Sequence, residues 1–127
     1  MKRPEELARR FLTLADRDIR AFRKLSDDRE IDDEIVGFHA QQAVEKCLKA
    51  VLAKHRVEVR KTHDLQVLLD LLTQNDLPIP PFREGIDALG PFAVELRYDL
   101  MASEPLDREQ ARNVVEAVRR WAEQQLS

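Results

Sequence analysis

The sequence contains few of the residues that cross-link a chain, interrupt it or anchor it in a membrane. Cys47 is its one cysteine, so an internal disulfide is excluded. No apolar run approaches the roughly 20 residues that a transmembrane helix needs. The first six residues lack the apolar segment of a signal peptide. We therefore predict a cytoplasmic protein that does not associate with membranes.

The patterns that mark metal and cofactor chemistry are also lacking. Its three glycines are scattered, so no glycine-rich loop can cradle a phosphate. The histidines are His39, His55 and His63, and none has a zinc-type spacing to Cys47 or to another histidine. No local signature of a Ser-His-Asp triad occurs. We expect neither a metal nor a cofactor.

The charges are nearly balanced but unevenly placed. Lysine and arginine number 21 against 24 acidic residues, a formal charge of −3, which argues against general coating of nucleic acid. The basic residues of the first 25 positions are Lys2, Arg3, Arg9, Arg10, Arg17, Arg20, Arg23 and Lys24. An acidic segment follows at 27–34. This pattern fits either a solvated helix face before an acidic loop or a basic patch that touches phosphate.

The periodicity of apolar residues predicts an all-α protein, an up-and-down bundle of four to five helices. A length of 127 residues suits one domain spanning 1–127. Residues 4–25 form the first predicted helix, with Pro4 in its first turn, and residues 34–55 form the second. Thr62 is expected to cap a third helix, and a fourth segment starts near Phe82. Gly90-Pro91 interrupts that segment before apolar residues resume at 92–98, and Asp107 caps the last helix with Gln110 as its partner.

The stretch at 38–51 is predicted to be the central helix. Small and apolar residues occupy one broad face: Ala40, Ala43, Val44, Cys47, Leu48, Ala50 and Val51. Polar residues occupy the opposite face: His39, Gln42, Glu45, Lys46 and Lys49. These polar side chains fit either an anion site or a network that stabilises the bundle or a dimer interface.

Three motifs resemble those of HEPN domains, small helical proteins of bacteria and archaea. They are Phe-His-Ala-Gln-Gln-Ala-Val-Glu-Lys-Cys-Leu-Lys-Ala at 38–50, Lys-Thr-His-Asp-Leu at 61–65 and Glu-Leu-Arg-Tyr-Asp at 95–99. The likeness covers nearly the whole chain. It implies a homodimer, since HEPN domains commonly pair through helices near the Arg motif.

The resemblance also provides a test for ribonuclease activity. Active HEPN ribonucleases carry an Arg, four to six residues and then a His, and these groups cleave RNA without a metal. Arg97 matches the Arg, but Ala102, Ser103 and Glu104 occupy the positions for the His. Arg56 and His63 match the spacing only nominally, because they precede the third helix. RNA cleavage needs a group that titrates near neutral pH, which neither an arginine nor an unperturbed tyrosine provides.

Without that His, the chain resembles the branch that lacks the ribonuclease motif, and this resemblance implies a non-enzymatic role. Members of that branch are often encoded beside a minimal nucleotidyltransferase and have been proposed to be its partner or substrate-binding subunit. The candidate site for a nucleotide or RNA phosphate is His39, Gln42, Lys46, Lys49, Arg97 and Tyr98. The alternatives are a ribonuclease of a toxin–antitoxin pair that uses Arg97 with an atypical base, and a purely structural interaction module.

Asp18 interrupts the apolar stripe of the first helix, as an Asp does in HEPN domains. Because an unpaired buried carboxylate is costly, it is either paired or solvated at the rim. We expect Asp18 to bond to Arg97, Lys46, Gln42 or His39, and His63 to have a structural role at the start of the third helix. Asp16, which lies off the stripe, is expected to tolerate substitution.

Overall fold

Five α-helices form the part of the chain that the computed structural model describes, which is residues 3–59, 61–93 and 105–127. They are α1 (Pro4–Ser26), α2 (Asp33–Lys54), α3 (Leu65–Gln74), α4 (Arg83–Leu89) and α5 (Arg108–Leu126). A 3₁₀ turn, Gly90–Phe92, continues α4. The described residues contain no strand, and the predicted all-α bundle is confirmed.

Ion pairs between α1 and α5 show how these two helices run. Arg9 meets Glu123, Asp16 meets Arg119 and Arg23 meets Glu116. Residues further along α1 pair with residues nearer the start of α5, so the two helices are antiparallel. Such a ladder fixes the register of two helices, although each exposed pair contributes only about 1 kcal/mol or less.

α2 is the central helix, as its sequence predicted, and other elements cover its polar side as well as its apolar side. The predicted apolar face is buried, and so are Gln41, Gln42 and Glu45. Gln42 and Glu45, two of the polar residues on the opposite face, are therefore internal. α1, α3, α4 and α5 all pack against α2, so little of its circumference remains for solvent.

Two glycines allow close approach between elements. A Cβ on Gly37 of α2 would lie 2.4 Å from Cδ1 of Phe92, in the 3₁₀ turn. A Cβ on Gly85 of α4 would lie 2.4 Å from Cγ2 of Val114, in α5. Each glycine thus leaves space for a buried side chain, which brings α4 and its 3₁₀ turn close to the core.

The helix ends correct several details of the sequence prediction. The N-cap of α3 is Asp64, whose carboxylate accepts a hydrogen bond from the Gln66 backbone at 2.9 Å. Thr62 lies two residues earlier and bonds the Asp64 backbone instead. Asp107 caps α5 by accepting from the Gln110 backbone, which confirms the predicted cap residue. Phe82 precedes α4 and has a left-handed backbone at φ 63°. The apolar segment that was predicted to resume at 92–98 lies mostly outside the described residues.

Arg108, at the start of α5, holds the loop between α1 and α2. Its guanidinium pairs with Asp33 at 3.0 Å and donates to the backbone carbonyls of Ser26 at 3.0 Å and Ile31 at 2.6 Å. It also reaches the carbonyls of Leu25 and Asp28. One planar group with five donors thereby bonds carbonyls at the end of α1 and in the loop that follows it.

Candidate functional site

The first polar cluster joins α1 to α2 and consists of Asp18, His39 and Lys46; we call it the Asp18 cluster. Nδ1 of His39 lies 3.1 Å from Oδ1 of Asp18, and Lys46 donates to the other carboxylate oxygen. Only 13% of the Asp18 side chain is exposed, against 26% for His39 and 22% for Lys46. The carboxylate on the apolar stripe is thus held by two of its four expected partners.

The second polar cluster lies deeper and joins α2 to the segment before α3; we call it the Glu45 cluster. Oε1 of Glu45 lies 2.8 Å from Nδ1 of His63, and Oε2 accepts from Lys49 at 3.0 Å. Gln42 donates to Glu45 at 3.2 Å and to the Gln41 side chain at 2.7 Å. Gln41 in turn donates to the backbone carbonyl of His63 at 2.8 Å. A carboxylate that is 3% exposed thereby has three kinds of donor around it.

The charges within each cluster nearly cancel. Asp18 offsets Lys46, and Glu45 offsets Lys49, so with neutral imidazoles neither cluster carries excess positive charge. A lysine that already has a carboxylate partner attracts an external phosphate less than an unpaired lysine does. Taken alone, these clusters are suited to holding helices together.

The structure divides the described residues of the expected site between the two clusters. His39 and Lys46 belong to the Asp18 cluster, whereas Gln42, Lys49 and His63 belong to the Glu45 cluster. Arg97 and Tyr98 lie outside the described residues. The nominal partner of His63, Arg56, is exposed at the end of α2, while the His63 ring contacts Glu45.

Sequence reasoning missed Gln41 and Glu45 as the centre of the deeper cluster. The signal that would have found them is their spacing. Gln41, Glu45 and Lys49 recur every four residues, which aligns an amide, a carboxylate and an ammonium along one helix face. His63 and its Thr-His-Asp-Leu motif then lie beside this row, in keeping with the structural role expected of His63.

Asp16 is also more than the neutral position that the sequence suggested. Its two carboxylate oxygens accept from Nε and Nη2 of Arg119 at 2.7 Å and 3.2 Å. This hydrogen bonding raises the pKa of Arg119. A paired Asp16 connects α1 to α5, so Asp16→Asn would remove an interhelical ion pair and is not the neutral control that its place off the stripe suggested.

Cys47 lies close to that pair but is not poised for chemistry. Burial, only partly opposed by the charge of Arg119, raises the pKa of the Cys47 thiol to about 12. The thiol is therefore protonated at neutral pH, whereas the thiolate is the nucleophile and the metal ligand. Within the described ranges no group of three acidic, histidine or cysteine side chains is arranged to hold a metal ion.

Comparison with protein families identifies the fold that carries these clusters. The model of the HEPN domain matches residues 8–125, so the chain belongs to the HEPN domain family. Comparisons with curated proteins and with solved structures gave no significant match. Among the described residues, no helix is both long and apolar enough to cross a membrane.

Proposed function

We propose that the chain is one non-catalytic HEPN domain over residues 1–127, a cytoplasmic homodimer that acts with a minimal nucleotidyltransferase. In this proposal it binds the partner or its nucleotide substrate and performs no chemistry itself. Membership of the HEPN family supports the proposal at the level of the domain. The sequence around Arg97 supports the non-catalytic part.

The observation that carries the proposal is the position of the histidines. No histidine follows His63 in the chain, so no imidazole comes after Arg97 in the sequence. His39 and His63 both contact carboxylates within the bundle. Arginine remains protonated at neutral pH and stabilises a phosphate without accepting the proton of a ribose hydroxyl. An Arg97 that no histidine follows in the sequence is thus suited to binding.

The proposed ligand is the phosphate of a nucleotide or of RNA. His39, Lys46 and Lys49 are each partly exposed and supply donors on α2. Their charges are offset by Asp18 and Glu45, so Arg97 would provide the positive charge that an anion requires, and Tyr98 a hydroxyl. Gln42 is buried and would act by orienting Glu45.

The alternative is a ribonuclease toxin in which Arg97 acts with an atypical base. One observation favours this alternative: His39 is partly exposed and its ring is oriented by Asp18. A carboxylate that orients an imidazole is an arrangement used in general base catalysis. His39 is therefore the residue to substitute if cleavage is found.

The first test measures RNA cleavage by the purified protein in the presence of a chelator. We expect no cleavage above that of a buffer control, because the proton-transfer group after Arg97 is missing. Cleavage that persists in Arg120→Ala, an exposed arginine of α5, but is lost in Arg97→Ala and His39→Ala would contradict the proposal and establish the alternative.

The second arm of this test mixes the chain with a minimal nucleotidyltransferase encoded beside it. We expect one complex of fixed stoichiometry in size-exclusion chromatography with light scattering. If the two proteins elute separately at micromolar concentrations, the partnership is refuted, and a chain that also lacks ribonuclease activity is then the interaction module of the third interpretation.

A further inference from the structure

The outward face of α1 carries a row of basic residues, Arg10, Arg17, Arg20 and Lys24, which we call the α1 cation stripe. All four are exposed. At 100° per residue, three of them recur every seven residues and Arg20 lies one turn away. The stripe is opposite the buried face of the helix, which is formed by Ala8, Leu12, Ala15, Ile19 and Phe22.

Within the described residues the stripe has no partner. None of its four side chains forms an ion pair or a hydrogen bond there. The reason is that the nearby acids of α1 face other helices, since Asp16 pairs with Arg119 and Asp18 with Lys46. The fold thus uses Asp16 and Asp18 between helices and leaves the four cations without an ion-pair partner in the described part of the chain. The nearest acid on their side of α1 is the exposed Glu6, one turn before Arg10.

Other basic residues of α1, outside the stripe, do form ion pairs. Arg9 pairs with Glu123 at 2.6 Å, and Arg23 approaches Glu116 at 3.9 Å. Both lie on the side of α1 that faces α5. A protein with a formal charge of −3 therefore presents a local concentration of positive charge on one helix.

The spacing of the stripe fits a regular line of negative charges. With a rise of about 1.5 Å per residue, its four residues are separated along the axis by about 10 Å, 4.5 Å and 6 Å. A nucleic-acid strand in a duplex carries a phosphate about every 3.4 Å, so several registers bring phosphates opposite the stripe. A protein surface would need carboxylates placed individually at those separations.

The composition of the stripe points the same way. Three of the four cations are arginines, whose planar guanidinium binds phosphate through two parallel hydrogen bonds. Between Arg10 and Lys24 the outward face otherwise holds Thr13 and Ala21, so it lacks an aromatic or large apolar anchor. Protein interfaces rely on such anchors, and so do helices that lie on membranes.

We propose that the α1 cation stripe binds the phosphate backbone of a nucleic acid without reading its sequence. This surface is separate from the clusters on α2 and does not require Arg97. It follows from the internal pairing of Asp16 and Asp18, so it stands whether or not the chain acts with a nucleotidyltransferase.

Fluorescence anisotropy with a labelled 20-nucleotide RNA, single-stranded or in a duplex, tests this proposal. Wild type should make four phosphate contacts. A plot of the logarithm of its binding constant against the logarithm of the salt concentration should then have a slope of about −3. Arg17→Gln/Arg20→Gln should weaken binding about tenfold at 50 mM salt and reduce the slope to about −1.5. A second RNA of unrelated sequence should bind equally well.

The matched control is Arg9→Gln/Arg112→Gln, which removes the same charge from two arginines paired with Glu123 and Asp27. Binding in this variant should remain within about twofold of wild type. The proposal fails if wild type does not bind at 50 mM salt or if both double variants lose affinity equally. It also fails if polyglutamate displaces the RNA at equal charge concentration, since the stripe would then prefer an acidic polypeptide.

Discussion

Asp18 is a partly buried carboxylate, and its contribution to the free energy of unfolding can be tested by one substitution. Replacing it with Asn keeps the shape but removes the charge that Lys46 and His39 face. We expect Asp18→Asn to lower the free energy of unfolding by about 1–3 kcal/mol. That is less than the roughly 3–5 kcal/mol for a fully buried pair, because Lys46 can partly reach water. Urea denaturation monitored by circular dichroism measures this loss.

Asp87→Asn is the control for that substitution. Asp87 forms an exposed pair with Arg83 at 3.6 Å, and its loss should cost less than about 1 kcal/mol. Asp16→Asn is unsuitable because Asp16 holds Arg119. Equal stability of the two Asn variants and the wild type would show that the Asp18 cluster does not stabilise the bundle.

The two polar clusters show how far the sequence predicts the role of a single residue. The cost of burying a charge alone was enough to predict that Asp18 has a partner. It was not enough to identify Glu45 as the more buried carboxylate, because helical periodicity assigns a residue to a face without saying what covers that face. The segment before α3 covers Glu45, and His63 comes from 18 residues further along the chain.

At the scale of elements, the close packing of α2 against the 3₁₀ turn depends on a missing side chain. A Cβ on Gly37 would lie 2.5 Å from Cγ of Phe92, whose ring is buried. We expect Gly37→Ala to destabilise the protein by about 1–3 kcal/mol, because overpacking outweighs the roughly 1 kcal/mol by which Ala favours a helix. Thermal unfolding measures the change as a lower Tm.

Gly90→Ala should have the opposite sign. Among the described residues beyond its own chain neighbours and helix backbone, no atom lies within 4 Å of a Cβ built on Gly90, and its backbone at φ −51° suits alanine. We expect an increase of about 0.4–1 kcal/mol, through a less flexible unfolded chain. If the two variants shift the Tm in the same direction, the contact between Gly37 and Phe92 does not limit the packing of these elements.

The helix ends show why the boundaries were harder to predict than the helices themselves. Thr62 and Asp64 are both good N-cap residues, and they lie two residues apart. The Thr62 hydroxyl bonds the Asp64 backbone, whereas the Asp64 carboxylate bonds the first turn of α3. The two hydrogen bonds follow one another along the chain. A sequence pattern that assigns one cap to each helix cannot tell which of the two residues is the N-cap.

At the scale of the whole molecule, the proposed homodimer yields a prediction about exposed apolar residues. Ile79 and Phe82 are 53% and 57% exposed and adjoin α4, close in sequence to the Arg motif. We expect wild type to have about twice its chain mass of 14.8 kDa in light scattering at micromolar concentration. Phe82→Asn should shift it toward the monomer, since it removes an apolar contact while asparagine tolerates the left-handed backbone.

Leu7→Asn serves as the comparison for that variant, because Leu7 is an exposed apolar residue near the start of α1. It should leave the dimer intact. A wild type that scatters as a single chain at every concentration tested would rule out the dimer. A dimer equally resistant to both substitutions would place its interface away from Phe82.

The overall fold was predictable because apolar residues at three- and four-residue steps identify helices and their buried faces. The way these helices surround α2 was not, since it depends on contacts between distant segments. The bundle buries α2 by covering its polar side as well as its apolar side, and this makes Gln41 and Glu45 internal. Long-range pairs such as Asp16 with Arg119, 103 residues apart, follow from the register that only the folded chain defines.

The position of Arg108 has a consequence for protein synthesis. The carbonyls that its guanidinium holds, at the end of α1 and in the loop before α2, are translated 77 to 83 residues earlier. During translation the first two helices can therefore pair while their connecting loop still lacks its donor. The loop gains these hydrogen bonds only when α5 is made, so a product truncated before Arg108 lacks them. Proteolysis of ribosome-released fragments would then begin at the acidic loop.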